Sequence, residues 1–114
     1  MAAKNRKEVS LDLARAGEAR HFVSWTGAVA GLGGGGLSDL AVAAEAVLTD
    51  IFLSAAEGVL EIESERTDET LEICITHPEL EDRRMSGLAK ILERFLDGYE
   101  LTSTSAVLIK RLEK

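Results

Sequence analysis

Residues 37–52 constrain the fold of this 114-residue chain more than any other segment. On a helix that continues past residue 52, the core stripe is Leu40, Ala44, Val47, Leu48 and Ile51, and further apolar side chains around it are Val42, Phe52 and Leu53. A helix that is hydrophobic on nearly every side is normally covered by other elements. We therefore expect a long central helix that runs from an N-cap at Ser38 to about Ala56 and ends before Gly58.

Two elements are predicted before this helix. Residues Glu8 to Leu13 alternate between apolar and polar side chains, which is the period of a half-buried strand. From about Ala16 to Leu32 the period becomes helical. Trp25 lies off the apolar stripe of that helix. It is either a flank of the core or an exposed contact, since tryptophan is enriched in interface hot spots.

Four consecutive glycines, Gly33 to Gly36, separate the two predicted helices. Glycine weakens a helix and permits positive φ, so the run predicts a linker. A phosphate-cradling loop would follow a strand, space its glycines differently and often carry a lysine. This run follows a helix and has no such lysine, so we interpret it as a break between helices.

Alternating segments follow the long helix. Val59 to Arg66 and Glu69 to Thr76 predict two strands joined by a turn at Thr67-Asp68, that is, a hairpin. Their apolar residues alternate with glutamates, which indicates one packed face and one acidic, exposed face.

The last part of the chain predicts a loop, a helix and two strands. The loop runs from His77 to Arg84 and contains the only proline. An amphipathic helix then begins at Ser86 and ends at Gly98. Tyr99 to Ser103 and Ala106 to Arg111 complete the chain as a strand pair. The order β-α-α-β-β-α-β-β predicts one domain over residues 1–114. Its class is α+β, a two-layer sandwich in which helices cover one face of a mostly antiparallel sheet.

The charge of the chain limits the classes of partner that it is expected to bind. The formal net charge is −7, and the basic residues lie mainly near the two ends. Nucleic acid is therefore a poor partner, while an acidic surface would steer a basic protein toward it. The single cysteine, Cys74, excludes an internal disulfide. No segment has the composition of a membrane span or a signal peptide, so we expect a cytoplasmic protein that does not bind membranes.

The order of these segments and their local sequence patterns resemble those of the ATPase domain of the serine-kinase anti-sigma factors. These factors are small bacterial members of the Bergerat (GHKL) superfamily. The resemblance covers most of the chain from the Glu8 strand onward. Leu37 to Phe52 is similar to the family's long helix, Leu71 to Thr76 to the strand before its glycine loop, and Gly87 to Asp97 to the helix after its lid. It implies a histidine-kinase-like ATPase fold.

The chain departs from this family in the long helix. The family carries Glu-x-x-x-Asn there, a general base and a magnesium ligand four residues apart. Here Asp50 stands at the asparagine position, Ala46 lies four residues before it, and Glu45 is one step off and points away. Asp50 can contact a metal, although a lone carboxylate binds magnesium weakly. In the alternative interpretation it flanks the core and meets solvent or a partner.

The nucleotide loops depart as well. The family's Asp-x-Gly-x-Gly loop is replaced by His77 to Glu81, which has no glycine, and the lid is reduced to Asp82 to Gly87. We therefore expect no catalytic residue, no metal and no bound cofactor. ATP with magnesium is the disfavoured alternative. A vestigial nucleotide pocket would consist of Asp50, Glu45, His77 and Gly87.

The resemblance then implies a transcription regulator that binds a sigma factor, an anti-anti-sigma (STAS) protein or both, and that can form a homodimer. By the same resemblance, its partner contacts would be Trp25, Glu79, Glu81, Asp82, Arg83 and Arg84. Two alternatives stay open. One is an active protein serine kinase with a diverged site around Asp50, and the other is a dimerising scaffold domain without catalysis.

Overall fold

A computed structural model of the chain describes residues 3–55, 57–80 and 85–112. Within these ranges the chain forms helices and strands in the predicted order. They are β1 (Ala3–Ser10), a 3₁₀ turn (Leu13–Arg15), α1 (Ala16–Ala30), α2 (Gly34–Ser54), β2 (Val59–Arg66), β3 (Thr70–Thr76), α3 (Met85–Phe95), β4 (Gly98–Leu101) and β5 (Ser105–Arg111). None of the helices in these ranges is long and apolar enough to cross a membrane.

The strands form a single five-stranded sheet in the order β1-β2-β3-β5-β4, and every neighbouring pair is antiparallel. Alternate side chains of the sheet are fully buried toward the helices, among them Leu60, Ile62, Ile73, Ile75 and Leu108. The residues between them are half-buried or exposed. The predicted α+β class and antiparallel sheet are thereby confirmed, with α1, α2 and α3 packed on one face.

α2 lies centrally in the helix layer, as predicted, between α1 and α3 and over β5. Leu40, Val47 and Ile51 on its inner side are at most 1% exposed. The prediction of nearly complete cover is wrong, because Val42 is 44% and Leu53 is 71% exposed. The helix layer is only one helix thick. The sheet covers the inner side of α2, α1 and α3 cover its flanks, and its outer side is left to solvent.

The glycine run is also placed differently from the prediction. Gly33 is the N-cap of α2, and Gly34 to Gly36 form its first turn, so Ser38 lies inside the helix. The break between helices is confined to residues 31–33, where Gly31 has a φ of 95°. The Leu37 amide donates to the Gly33 carbonyl at 2.8 Å, and Leu37 packs against the core. Tertiary packing therefore overrides the low helix propensity of glycine.

The first strand begins and ends earlier than the predicted Glu8 to Leu13. β1 pairs with β2 along its whole length, from Ala3 opposite Arg66 to Ser10 opposite Val59. Val9 and Leu11 are buried, but Leu13 is 67% exposed in the 3₁₀ turn. The Asp12 side chain accepts a hydrogen bond from the Ala14 amide at 3.1 Å and so starts that turn. Local alternation could not reveal this boundary, because pairing with a distant strand determines it.

Two glycine replacements test the placement of the break. We expect Gly35→Ala to stabilise the protein by about 0.5 kcal/mol, because an alanine Cβ there meets no atom within 4 Å and alanine favours the helix. We expect Gly31→Ala to destabilise it by about 1 kcal/mol, because the left-handed conformation strains alanine. Urea unfolding measures both changes. A loss of stability in Gly35→Ala would contradict the helical assignment of the run.

Candidate functional site

An open groove lies between the outer side of α2 and the start of α3. Its walls are formed by Val42, Glu45, Ala46, Thr49, Asp50, Gly87, Leu88 and Ile91. The groove has a volume of about 450 Å³, and small-molecule sites typically span roughly 300–1,000 Å³. Apolar groups make most of its surface, and the two carboxylates lie on the side of α2.

Three residues of the predicted vestigial pocket line this groove: Asp50, Glu45 and Gly87. The two carboxylates lie at different edges of it, since residues five apart on a helix are separated by about 140°. Glu45 is directed to α1, where its carboxylate accepts a hydrogen bond from the Arg20 guanidinium, and the Thr49 hydroxyl donates to it at 3.3 Å. Asp50 is half-buried and also lines the groove. The role of Glu45 in a nucleotide pocket stays a prediction.

The structure does not bring His77 to the groove. His77 follows the end of β3 and is only 4% exposed. Its Nδ1 lies 2.7 Å from the Pro78 carbonyl oxygen, and its backbone amide donates to the Thr104 carbonyl at 2.9 Å. The Leu80 amide donates to Ser103 in the same β4–β5 turn at 3.2 Å. His77 therefore anchors a loop to that turn, and the prediction that it belongs to the pocket is corrected.

The charged side chains that line the groove, among the described residues, are both acidic. In the part of the chain that the structure describes, no group of three or more His, Cys, Asp and Glu side chains could hold a metal ion. The groove as described thus offers apolar contact and negative charge.

A second concave surface lies between α1 and the edge strand β1. It has a volume of about 240 Å³ and is lined by Lys7, Glu18, His21, Phe22 and Trp25. The Trp25 ring rests on Phe22 with centroids 6.0 Å apart and remains 45% exposed. Trp25 is thus both a flank of the core and an exposed surface. The sequence did not associate it with Lys7, because that neighbour comes from the packing of β1 against α1.

The other predicted partner contacts are only partly described. Glu79 is exposed in the loop after β3. Glu81, Asp82, Arg83 and Arg84 lie outside the described residues. The proposed roles of Trp25 and Glu79 in partner binding stay predictions.

Comparison with known proteins adds no assignment: no family model matches the chain, and no curated protein matches it. Any function must therefore be argued from the geometry and charge of these surfaces.

The position of α3, one wall of the groove, depends in part on Tyr99 in β4. Its hydroxyl donates a hydrogen bond to the Glu93 carboxylate of α3 at 3.0 Å. That hydrogen bond, followed by partial desolvation and the negative charge of Glu93, raises the pKa of Tyr99 above its ordinary value of 10.0. The neutral phenol therefore links α3 to the edge of the sheet.

This contact can be measured, because Tyr99 is the only tyrosine in the chain. We expect absorbance titration of the tyrosinate to give a midpoint above 10.0 in the native protein and a lower midpoint in Glu93→Gln. The folded state holds the Tyr99 proton more tightly than the unfolded state. The contribution of the Tyr99–Glu93 contact to the free energy of unfolding is therefore present below the pKa of the unfolded state. It is lost as the pH rises through the raised pKa of Tyr99 in the folded state. An identical midpoint in both proteins would show that the contact does not persist in solution.

Proposed function

We propose that this chain is a protein-binding regulatory domain of the anti-sigma type, with a histidine-kinase-like ATPase fold that has lost nucleotide chemistry. Its partner would be a sigma factor, a STAS protein or both. The observation that carries the proposal is the groove between α2 and α3. Three of the four residues that the resemblance assigns to a nucleotide pocket line this groove, and most of its surface is apolar.

The apolar surface supports a protein partner. Val42 on α2 is 44% exposed and Ile91 on α3 is 37% exposed, and both line the groove. Leu53, about three turns from Val42 along the same outer side of α2, is 71% exposed. Exposed apolar surface rimmed by polar residues, as Val42 and Ile91 form in the groove, is typical of protein interaction sites. An amphipathic helix can place its apolar side chains in such a groove at i, i+3, i+4 and i+7.

The charge supports a basic partner over a nucleotide. The described lining of the groove holds two carboxylates, Asp50 and Glu45, and no lysine or arginine, while Arg20 of α1 pairs with Glu45 from outside that lining. Cationic residues on a partner would be attracted, and the net charge of −7 would accelerate their encounter. Such complementarity contributes to specificity and association rate more than to affinity.

A second function, a protein serine kinase with a diverged site, is favoured by one observation. Asp50 and Gly87, which the resemblance assigns to the helix and the lid of a nucleotide pocket, line the same groove. Magnesium held at Asp50 would offset the negative charge of a nucleotide there. The two functions differ in whether Mg-ATP binds the folded chain.

Thermal unfolding with and without saturating Mg-ATP separates them. A ligand at about 100 times its dissociation constant stabilises a protein by roughly 2.7 kcal/mol, which raises Tm by on the order of 5 °C for a domain of this size. We expect no shift relative to magnesium alone, because the segment from His77 to Glu81 has no glycine and Asp50 stands where the family has asparagine. A shift that disappears in Asp50→Ala would overturn the proposed loss of nucleotide binding and establish the kinase alternative.

The partner is tested by pairwise binding of the purified chain to individually expressed sigma factors and STAS proteins of the organism that encodes it. We expect at least one to bind, and Ile91→Glu to weaken binding by about tenfold or more, since a tenfold loss corresponds to ~1.4 kcal/mol. Val29→Glu, a similar replacement on α1 at a side chain that is 60% exposed, is the matched control. Unfolding midpoints confirm that both variants fold. Equal weakening by the two variants, or no binding by either class of protein, would refute the proposal.

A further inference from the structure

The second face of the sheet is covered by no element among the described residues. Its central strands present three half-buried apolar side chains, Cys74 on β3 with Val107 and Ile109 on β5. They alternate with the fully buried residues that face the helices, so they point to the opposite side. Carboxylates surround them. We name this surface the acidic sheet face and define it by Cys74, Val107, Ile109, Glu63, Glu65, Glu72 and Glu100.

Strand register places the apolar and acidic residues in rows across the sheet. Glu63 lies opposite Cys74, Cys74 opposite Val107, and Val107 opposite Glu100. The row therefore has two apolar residues in the middle and one carboxylate at each side. Three strand spacings of about 4.8 Å put the two glutamate backbones about 14 Å apart. That distance exceeds the roughly 10 Å diameter of a helix with its side chains, so a helix fits between the carboxylates.

The second row adds apolar surface and unbalanced charge. Glu65 lies directly opposite Glu72, and Glu72 opposite Ile109. Like charges on directly opposed strand residues destabilise a sheet. Ile109 lies opposite Gly98, where a Cβ would be only 3.3 Å from the isoleucine side chain. A glycine at position 98 therefore leaves room for the Ile109 side chain beside it.

Cations lie on this face at the β1 edge, where Lys4 and Arg6 alternate onto it, and at the end of β5, where Arg111 follows Ile109 by two residues. Arg6 pairs with Glu61 at 2.7 Å and with Glu8 at 3.1 Å, and it lies directly opposite Glu63 of the defined surface. Lys4 is 3.9 Å from both Glu63 and Glu65, and its side chain is 59% exposed, so these contacts are weak. Neither Glu72 nor Glu100 pairs with a cation in the described part of the chain. The charge of the face is therefore complementary to a basic partner.

We propose that the acidic sheet face is a second docking surface, and that it binds a basic amphipathic helix of a partner protein. The apolar stripe of that helix packs on Cys74, Val107 and Ile109. Lysine or arginine residues on its two flanks reach Glu63 on one side and Glu100 on the other. The surface lies on the side of the sheet away from the α2–α3 groove. It goes beyond the proposed function, because two partners can then bind without sharing a surface.

The probe for this proposal is a synthetic helical peptide of about 18 residues, a length of about 27 Å, with a leucine stripe flanked on both sides by lysines. A peptide of the same composition in scrambled order has the same charge without the stripe. We expect the amphipathic peptide to bind the native chain at least about tenfold more tightly than the scrambled peptide, because only it offers apolar contact and aligned cations.

Matched variants distinguish binding at the acidic sheet face from attraction by the overall negative charge of the chain. Glu63→Gln/Glu100→Gln removes two charges from the face, and Glu57→Gln/Glu69→Gln removes two exposed charges elsewhere. We expect the first pair of substitutions to lower the affinity for the amphipathic peptide by about tenfold, and the second pair to lower it by no more than about twofold. Val107→Thr keeps the β-branched shape that suits a strand and should weaken binding by about threefold through lost apolar contact.

Backbone amide shifts on peptide binding give an independent readout, and they should concentrate in β3 and β5. Three results would overturn the proposal: equal affinity for both double variants, shifts confined to α2 and α3, or no preference for the amphipathic peptide over the scrambled one. A lack of preference for the amphipathic peptide would overturn this proposal even if the α2–α3 groove binds its own partner. Failure of the second docking surface is therefore distinguishable from failure of the proposed function.

Discussion

The burial of the inner side of α2 is the constraint on which the rest of the structure depends. Leu40, Val47 and Ile51 fill the space between the helix layer and the sheet, and each such side chain contributes about 1.5–3 kcal/mol when it leaves water. α1 and α3 are positioned as its neighbours, and the sheet beneath them is covered on that side only. Both candidate surfaces follow from this arrangement: the groove forms beside the uncovered outer side of α2, and the acidic sheet face is the uncovered side of the sheet.

Lys110 on β5 connects the ends of the elements that α2 organises. It is only 14% exposed as a side chain, and its ammonium group donates to the Phe95 carbonyl at the end of α3 at 3.0 Å. Asp39, in the second turn of α2, lies 3.4 Å away, and Asp97 after α3 lies 3.9 Å away. A half-buried ammonium requires such partners, because an unpaired one would be costly to desolvate. The cation also lies at the negative end of α3, where a positive charge is favoured.

Local periodicity predicted the fold well wherever a helix or strand is defined by its own side chains. The bounds of β2 were predicted to the residue, and the buried stripes of α1 and α2 were correct, because alternation and helical spacing record which side faces the core. β1 and the glycine run were misplaced because their limits depend on distant segments. Arg66 opposite Ala3 extends β1. The packing of Leu37 on the core extends α2 through glycines that locally oppose a helix.

The candidate site was predictable to a similar degree and for the same reason. The resemblance assigned Asp50 and Gly87 to one pocket, and both line the groove. His77 does not, because its hydrogen bonds to the loop and to the β4–β5 turn bury it elsewhere, and no local pattern encodes that anchoring. The acidic sheet face was predicted only in part from the sequence. Alternating glutamates indicated an acidic face, but the cross-strand neighbours of Cys74 and Val107 depend on the order of the strands.

The thinness of the molecule determines how its two surfaces can relate. The backbone measures 21 Å along its shortest principal axis, so partners on opposite sides would be close without touching the same residues. Binding at one surface changes affinity at the other only if some element has two arrangements that both partners distinguish. α2 borders the groove and packs on β5, whose other side carries Val107 and Ile109. Coupling can therefore pass through the contact between α2 and β5, or through α3 and β4, the strand that carries Glu100. A core packed as tightly as the one beneath α2 resists gradual deformation. The geometry accordingly favours simultaneous binding of two partners over displacement of one by the other.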